Sequence, residues 1–119
     1  MKKFLYMIFL IPLLSYSQDA IKEKGDFPDG LVVVEFNASF NNANEVPWLS
    51  KLIDCTTDRV DITADARWAK EYKIVVVPTL VIFNDGEEVK RFQANIMMTM
   101  EATKGELQDA VDAIIMEAF

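Results

Sequence analysis

The apolar positions in the first half of the chain predict a buried strand followed by a helix. Leu31–Phe36 is a nearly continuous β-branched run, which is typical of a strand that is buried on both faces. After it, Asn41 or Asn44 could cap a short helix that ends near Asp54. The apolar face of that predicted helix consists of Val46, Leu49, Leu52 and Ile53.

The pattern continues with a second strand and a second helix. Arg59–Ile62 reads as a short strand. The helix that follows carries Trp68 and Tyr72 at i, i+4 spacing, so that both aromatic rings lie on one face. Either Thr63 or Asp65 could cap this helix, since both side chains can accept a bond from a free backbone N–H.

The last part of the chain predicts a hairpin and a final helix. Thr79–Phe83 and Glu88–Phe92 flank the turn residues 84–86, which read Asn-Asp-Gly. Residues 103–106 read Thr-Lys-Gly-Glu, which is a capping box at the start of a helix. The apolar stripe of this helix consists of Leu107, Ala110, Val111, Ile114, Ile115 and Ala118. The predicted order is therefore β-α-β-α-β-β-α, with parallel strands in both βαβ steps and an antiparallel edge from the hairpin.

The N-terminal residues have the pattern of an export signal. Lys2 and Lys3 precede an apolar stretch, and residues 15–17 read Ser-Tyr-Ser, a small-x-small cleavage site. The apolar stretch is shorter than the roughly 20 residues that cross a bilayer, so no stable membrane insertion is expected after cleavage. We therefore expect a signal peptide at 1–17, a polar lead-in at 18–30 and one domain at 31–119, exported to a periplasmic or secreted location.

Charge and composition exclude several classes of function. The chain has 12 basic and 19 acidic residues, a net charge of −7, and loss of the two lysines with the signal peptide would leave 10 and 19, or −9. Such an acidic chain is not expected to bind nucleic acid. Histidine is absent, which excludes Ser-His and Cys-His catalysis and most zinc sites. We therefore predict neither a cofactor nor a metal.

Residues 72–83 contain a Val-Pro-Thr step and lead into the hairpin turn, while residues 31–40 form an apolar strand that runs into a loop. Both segments resemble the thioredoxin-like superfamily, the second its central strand and active-site loop. The family's Cys-x-x-Cys motif should occupy residues 41–44, which instead read Asn-Asn-Ala-Asn. The resemblance implies an α/β domain with a trimmed thioredoxin-like fold, whose central mixed sheet of about four strands is flanked by helices.

The resemblance also implies roles for particular residues. Asn41 and Asn44 occupy the cysteine positions and cannot act as redox nucleophiles, so no dithiol oxidoreductase activity is expected. Pro78 would follow a cis bond, and Val77 would present its backbone to an extended peptide or partner protein. Glu35 corresponds to the family's buried acid and Arg59 to its basic partner.

Two further features leave alternatives open. Cys55 is the one cysteine of the chain, so it is either a small apolar side chain in the core or a lone thiol that forms mixed disulfides. Met97, Met98 and Met100 enlarge the loop before the last helix. They could bind an apolar partner, cover the end of the sheet or, with weaker support, hold Cu(I) through their thioethers.

Overall fold

A computed structural model describes residues 25–118 of the protein. The predicted signal peptide at 1–17 and the first residues of the lead-in, 18–24, lie outside the described residues. The strands are β1 (Leu31–Asn37), β2 (Thr56–Asp61), β3 (Thr79–Asn84) and β4 (Glu87–Gln93). The α-helices are α1 (Arg67–Tyr72) and α2 (Lys104–Glu117). No helix within residues 25–118 is long and apolar enough to cross a membrane.

The four strands form one mixed sheet in the order β2-β1-β3-β4. Strands β1 and β2 are parallel, whereas β3 is antiparallel to both β1 and β4. The prediction of a mixed α/β sheet is confirmed, but the parallel arrangement predicted for the second βαβ step is wrong. Helix α1 has six residues and rises only about 9 Å, less than the roughly 20 Å length of a strand. The chain therefore re-enters the sheet at the end from which it left.

The helix predicted after β1 is also wrong. The chain there forms two 3₁₀ turns, Ser39–Asn44 and Leu49–Lys51, and neither begins with a side-chain cap. The physical reason lies at Val46, whose backbone N–H donates to Glu35 and whose carbonyl accepts from Arg59, so both groups are diverted from a helical ladder. Pro47 adds to this, because the residue before a proline disfavours α-helical backbone angles.

The core lies on both faces of the sheet, as the continuous apolar run of β1 predicts. Val32, Val34 and Phe36 point to one face, where α1 packs. Val33 points to the other face, where the second 3₁₀ turn and α2 pack. Every residue of 32–36 is nearly inaccessible to solvent, which makes β1 the central element that positions both layers.

A segment before β1 completes the α1 face of the core. The ring of Phe27 stacks on Phe83 at 5.2 Å and contacts Tyr72 at 5.8 Å between centroids. Next to it, Asp26 accepts hydrogen bonds from Arg67 at 2.7 Å and from the Tyr72 hydroxyl at 2.5 Å. The bond from Arg67 holds the pKa of Asp26 below its ordinary value. These contacts anchor the end of the lead-in on α1.

Both local signals in the second half of the chain are confirmed. Asp85 and Gly86 have positive φ angles of 53° and 86°, as the two-residue hairpin turn between β3 and β4 requires. The Thr103 hydroxyl accepts from the Glu106 amide, and the Glu106 carboxylate accepts from the Thr103 amide, which completes the capping box of α2. Asp65 accepts from the Arg67 amide, but the N-cap of α1 is Ala66, which makes no side-chain capping bond, so the capping predicted for Thr63 or Asp65 is wrong.

Candidate functional site

Three loops meet at the end of the sheet where β1 ends and β3 begins. They are the first 3₁₀ turn (Ser39–Asn44), the segment 73–78 before β3, and the segment 94–100 after β4. The Val77–Pro78 peptide bond is cis. The Ala94 amide donates to the Pro78 carbonyl at 3.1 Å, which ties the second loop to the third.

The side chain of Asn41 connects all three loops. It is buried, with 4% of its surface exposed. Its amide nitrogen donates to Asn37 Oδ1 and to the Met98 carbonyl, each at 3.1 Å, and lies 3.5 Å from the Val77 carbonyl. Its side-chain oxygen accepts from Asn44 Nδ2 at 2.9 Å. The two asparagines at the cysteine positions are therefore bonded to each other, and the predicted helix-capping role of both is wrong.

The third loop is held in shape by Asn95. Its side-chain oxygen accepts from the amides of Met97 and Thr99 at 2.9 and 3.1 Å, and also from the Thr99 hydroxyl. Met98 has a φ of 60°, a conformation that residues with a side chain seldom adopt. This conformation accompanies the bond that the Met98 carbonyl accepts from Asn41.

An apolar groove of about 270 Å³ lies between the first 3₁₀ turn and the other two loops. Its lining contains one polar side chain, Asn95, and no charged one. The lining residues are Phe40, Ile62, Ile74, Val75, Val76, Val77, Asn95, Ile96 and Met98. Three of these apolar side chains are strongly exposed, with 73% for Phe40, 76% for Val75 and 98% for Ile96. Such clustered exposure marks a surface suited to binding.

A partly buried ion pair, Glu35 with Arg59, lies near the first 3₁₀ turn. Glu35, 1% exposed, forms a salt bridge with Arg59 and accepts from the Val46 amide at 2.9 Å. Burial raises the pKa of Glu35 above its ordinary value, although these two donors and the Arg59 charge act in the opposite direction. Arg59 also donates to the Val46 carbonyl at 2.8 Å. The pair therefore fixes the backbone that runs from the first 3₁₀ turn into Pro47.

An acidic pocket of about 160 Å³ lies beside this pair, on the other side of the first 3₁₀ turn from the groove. Its lining includes the carboxylates of Glu35, Glu45 and Asp61 and the guanidinium of Arg59. Hydrogen bonds from Thr63, and a further one from Ser39, keep the pKa of Asp61 below its ordinary value. Three carboxylates against one cation give the pocket a net negative character when all are ionised.

Cys55 lies outside this site. It directly precedes β2, whose first residue pairs with Val32 near the start of β1, whereas the groove is at the far end of β1. The thiol packs against the α2 side of the core and is partly exposed. Burial raises the pKa of the Cys55 thiol, and the nearby Asp54 and Asp112 raise it further. A thiol in such surroundings is a poor nucleophile at neutral pH.

Comparison with known proteins identifies the family. The chain is 35% identical over 68 residues to a thioredoxin of Chlamydia trachomatis, an alignment that covers 52% of this chain and 67% of that relative. The chain belongs to the thioredoxin family. No family model matches it.

Solved thioredoxins have the same fold. The structure of Fasciola hepatica thioredoxin is 25% identical with a TM-score of 0.54, and the match covers 84% of this chain and 92% of that one. A mutant thioredoxin from Halobacterium salinarum is 22% identical with a TM-score of 0.58, over 83% of this chain and 82% of that one. The reduced thioredoxin pre-protein of Schistosoma mansoni is 22% identical with a TM-score of 0.59, over 82% and 89%.

This thioredoxin-family chain brings together most of the residues that the sequence singled out. Asn41, Asn44 and the Val77–Pro78 step meet at one end of the sheet, and Met98 joins them through its carbonyl. Met97 is exposed beside the groove but does not line it. Within the described residues, no group of three or more His, Cys, Asp or Glu side chains is placed to hold a metal ion.

Three prominent groove residues were missed by the sequence reasoning: Phe40, Val75 and Ile96. Val75 lies in the apolar run that leads to Pro78, and the sequence gives no reason to expect one residue of that run to be exposed while the others are buried. The available signal was the position of Phe40 directly before four residues that read Asn-Asn-Ala-Asn, whereas Ile96, which Met97 and Met98 follow, carried no comparable signal. A large apolar side chain in a polar loop has no core to enter and so indicates a contact surface.

Proposed function

We propose that this thioredoxin-family protein binds an extended peptide segment or partner protein in the apolar groove beside Val77–Pro78, without redox chemistry. The observation that carries the proposal is the cluster of exposed apolar side chains around the groove, chiefly Phe40, Val75 and Ile96. Burying apolar surface of this kind is the main source of affinity in peptide recognition. Backbone groups next to Pro78 would add directional bonds.

The residues at the motif positions support a binding role over a redox role. Asn41 and Asn44 hold carboxamides, which neither exchange with disulfides nor carry electrons. Cys55 is the one thiol of the chain, and it lies about one strand length, or roughly 20 Å, from the groove. A peptide seated in the groove would not reach it.

The test is binding of arrayed unstructured peptides, read by fluorescence anisotropy, with paired variants. Changing Val75→Ser and Ile96→Ser should weaken binding about tenfold or more, because apolar anchors each contribute about 1–2 kcal/mol. The matched control changes Val89→Ser and Met116→Ser, which are also exposed but lie outside the groove. Binding by the control should equal that of the wild type.

The variant Cys55→Ser distinguishes peptide binding in the groove from the alternative function, a monothiol redox protein that acts through Cys55. Under the proposal this variant binds like the wild type. If it loses binding while the groove variants keep it, the monothiol function is correct and the proposal is wrong. If no peptide binds the wild-type protein, the proposal fails outright.

We also propose that the protein acts outside the cytoplasm, in the periplasm or as a secreted protein. The support is the pattern of residues 1–17, with its basic start, apolar stretch and small-x-small site. Mass spectrometry of the exported fraction should find Gln18 as the N-terminal residue. Recovery of the intact Met1–Ser17 segment from that fraction would contradict this.

A further inference from the structure

Three of the six methionines of the chain lie within four residues, in the loop between β4 and α2. The structure gives each of the three a different environment. Met98 lines the apolar groove and is 38% exposed, whereas Met97 is 73% exposed and does not line the groove. Met100 packs against the α2 side of the core. Of the three thioethers, that of Met98 alone is both part of the groove wall and open to solvent.

The backbone of Met98 is held on both sides. The Met98 amide donates to the Asn95 carbonyl at 3.0 Å, and the Met98 carbonyl accepts from the Asn41 side chain at 3.1 Å. The Asn95 amide also donates to the Thr99 carbonyl at 3.0 Å, which closes the loop around Met98. Because these bonds fix the point from which the Met98 side chain projects, a chemical change at its sulfur changes the wall of the groove.

A methionine thioether reacts with hydroperoxides by transfer of one oxygen atom. A lone pair of the sulfur attacks one oxygen of hydrogen peroxide, and the S–O bond forms as the O–O bond breaks. The displaced hydroxide takes up the proton of the transferred oxygen and leaves as water, so the sulfur is oxidised by two electrons and the peroxide is reduced by two. A methionine sulfoxide reductase reverses the change, with two thiols oxidised to a disulfide and the oxygen released as water.

The lining of the groove has no polar partner to offer a sulfoxide. Of the described residues that line it, Asn95 has the one polar side chain. Its oxygen accepts from the amides of Met97 and Thr99, and its nitrogen donates to Glu101 at 2.9 Å. A sulfoxide oxygen at Met98 would bond to water in the free protein and would lose that water under an apolar ligand. Oxidation therefore costs the bound state more free energy than the free state.

From this arrangement we infer that Met98 is an oxidation site, at which a hydroperoxide switches off binding in the apolar groove. The inference rests on the proposed peptide-binding function and adds the regulation of that same site. The response needs no thiol, and the described lining of the groove contains no cysteine. The proposed location outside the cytoplasm favours it, because such compartments are oxidising.

The test compares peptide binding before and after treatment with hydrogen peroxide, in a Cys55→Ser background so that no thiol reacts. The probe is the labelled peptide, free of methionine and cysteine, that binds the untreated protein most tightly in the array. Catalase removes the peroxide before the peptide is added, and mass spectrometry of a digest locates each added oxygen. Affinity measured by fluorescence anisotropy should fall about five- to tenfold once Met98 is oxidised. Methionine sulfoxide reductase should restore it.

Leucine variants locate the effect, because leucine keeps an apolar side chain of similar size that peroxide does not oxidise. Each variant is compared with itself before and after peroxide, so a change in its starting affinity does not affect the result. Met98→Leu should lose the response to peroxide. The matched controls, Met97→Leu and Met116→Leu, remove thioethers that are more exposed than that of Met98 but do not line the groove. Both controls should keep the full response.

The outcomes separate the inference from the function on which it rests. Unchanged affinity when Met98 is fully oxidised, or a response that Met98→Leu retains, overturns the inference and leaves peptide binding standing. Resistance of Met98 to a dose of peroxide that oxidises Met97 and Met116 completely overturns it as well. A loss of structure in circular dichroism on oxidation would assign the effect to the core at Met100 and not to the groove. If no arrayed peptide binds the untreated protein, the proposed function itself fails.

Discussion

At the residue scale, Asn41 makes bonds that a cysteine in its place could not. A carboxamide offers two donor hydrogens and an acceptor oxygen, whereas a thiol is a weak donor and a weak acceptor. The side-chain nitrogen of Asn41 donates to Asn37 and to the Met98 carbonyl, and its side-chain oxygen accepts from Asn44. Asn41 thus supplies a buried polar link between loops that must stay together if the groove is to keep its shape.

We predict that Asn41→Ala destabilises the protein by about 1–3 kcal/mol, because the Met98 carbonyl and the buried Asn37 side-chain oxygen lose their donor. Urea unfolding measures the change. Asn42→Ala is the matched control, since Asn42 is the exposed neighbour in the same turn, and its effect should stay within about 0.5 kcal/mol. Equal stability of the two variants would show that the Asn41 network contributes nothing.

Glu35 gives a prediction for pH. Because burial raises its pKa in the folded protein above the ordinary value of 4.5, the folded state favours the protonated form. Its contribution to stability is therefore present below that value and is lost as pH rises through the folded pKa. The difference in unfolding free energy between the wild type and Glu35→Gln should fall as pH increases above 4.5. A difference that grows with pH would mean that the bonds from Arg59 and Val46 outweigh burial.

At the element scale, the sequence predicted those elements whose signals are local. The hairpin follows from Asp85-Gly86, and helix α2 follows from Thr103 and Glu106, because each signal acts on backbone only a few residues away. The 3₁₀ turns could not be predicted in this way. They depend on Val46, whose bonding partners Glu35 and Arg59 lie 11 and 13 residues distant.

The site was predictable to a similar extent. The Val-Pro-Thr step located Val77 and Pro78, and the resemblance of residues 31–40 to the family located Glu35, because both segments carry family signals in the chain itself. The groove depends on how three loops meet, and the antiparallel entry of β3 decides this. The hydrophobic pattern of the sequence does not predict the direction in which β3 enters the sheet, so the groove residues Phe40, Val75 and Ile96 were found only from the structure.

The lead-in provides the prediction at this scale. Phe27→Ala should cost about 2–3 kcal/mol, because the ring packs among Phe36, Trp68, Tyr72 and Phe83 and its loss leaves a cavity against α1. Phe40→Ala removes the same side chain from a position that is 73% exposed and should change stability by less than about 0.5 kcal/mol. Thermal or urea unfolding of both variants measures the contrast. If Phe27→Ala is as stable as Phe40→Ala, the lead-in is not part of the core.

At the scale of the whole molecule, the backbone around residue 41 differs from that of a dithiol site, in addition to the lack of cysteines at residues 41 and 44. A reactive thiol at residue 41 needs a helix N-terminus, whose free N–H groups and dipole stabilise the thiolate. Here the chain from Ser39 forms a 3₁₀ turn, Asn41 itself has a non-helical φ of −115°, and no α-helix follows before β2. The scaffold that presents the groove therefore lacks the element that activates a nucleophile.

This leads to a prediction about restoring the motif. Asn41→Cys with Asn44→Cys, made in a Cys55→Ser background so that only the new thiols report, should not produce an efficient disulfide reductase. The thiol at residue 41 would be buried and would have no helix dipole, and burial raises a thiol pKa. Thiolate absorbance during a pH titration should place that pKa at or above the ordinary value for cysteine, and insulin reduction should stay near the uncatalysed rate. Circular dichroism must first show a folded protein. A depressed thiol pKa together with rapid insulin reduction would mean that the sheet and Pro78 alone can activate the thiol, and that the 3₁₀ turn is no obstacle to disulfide reduction.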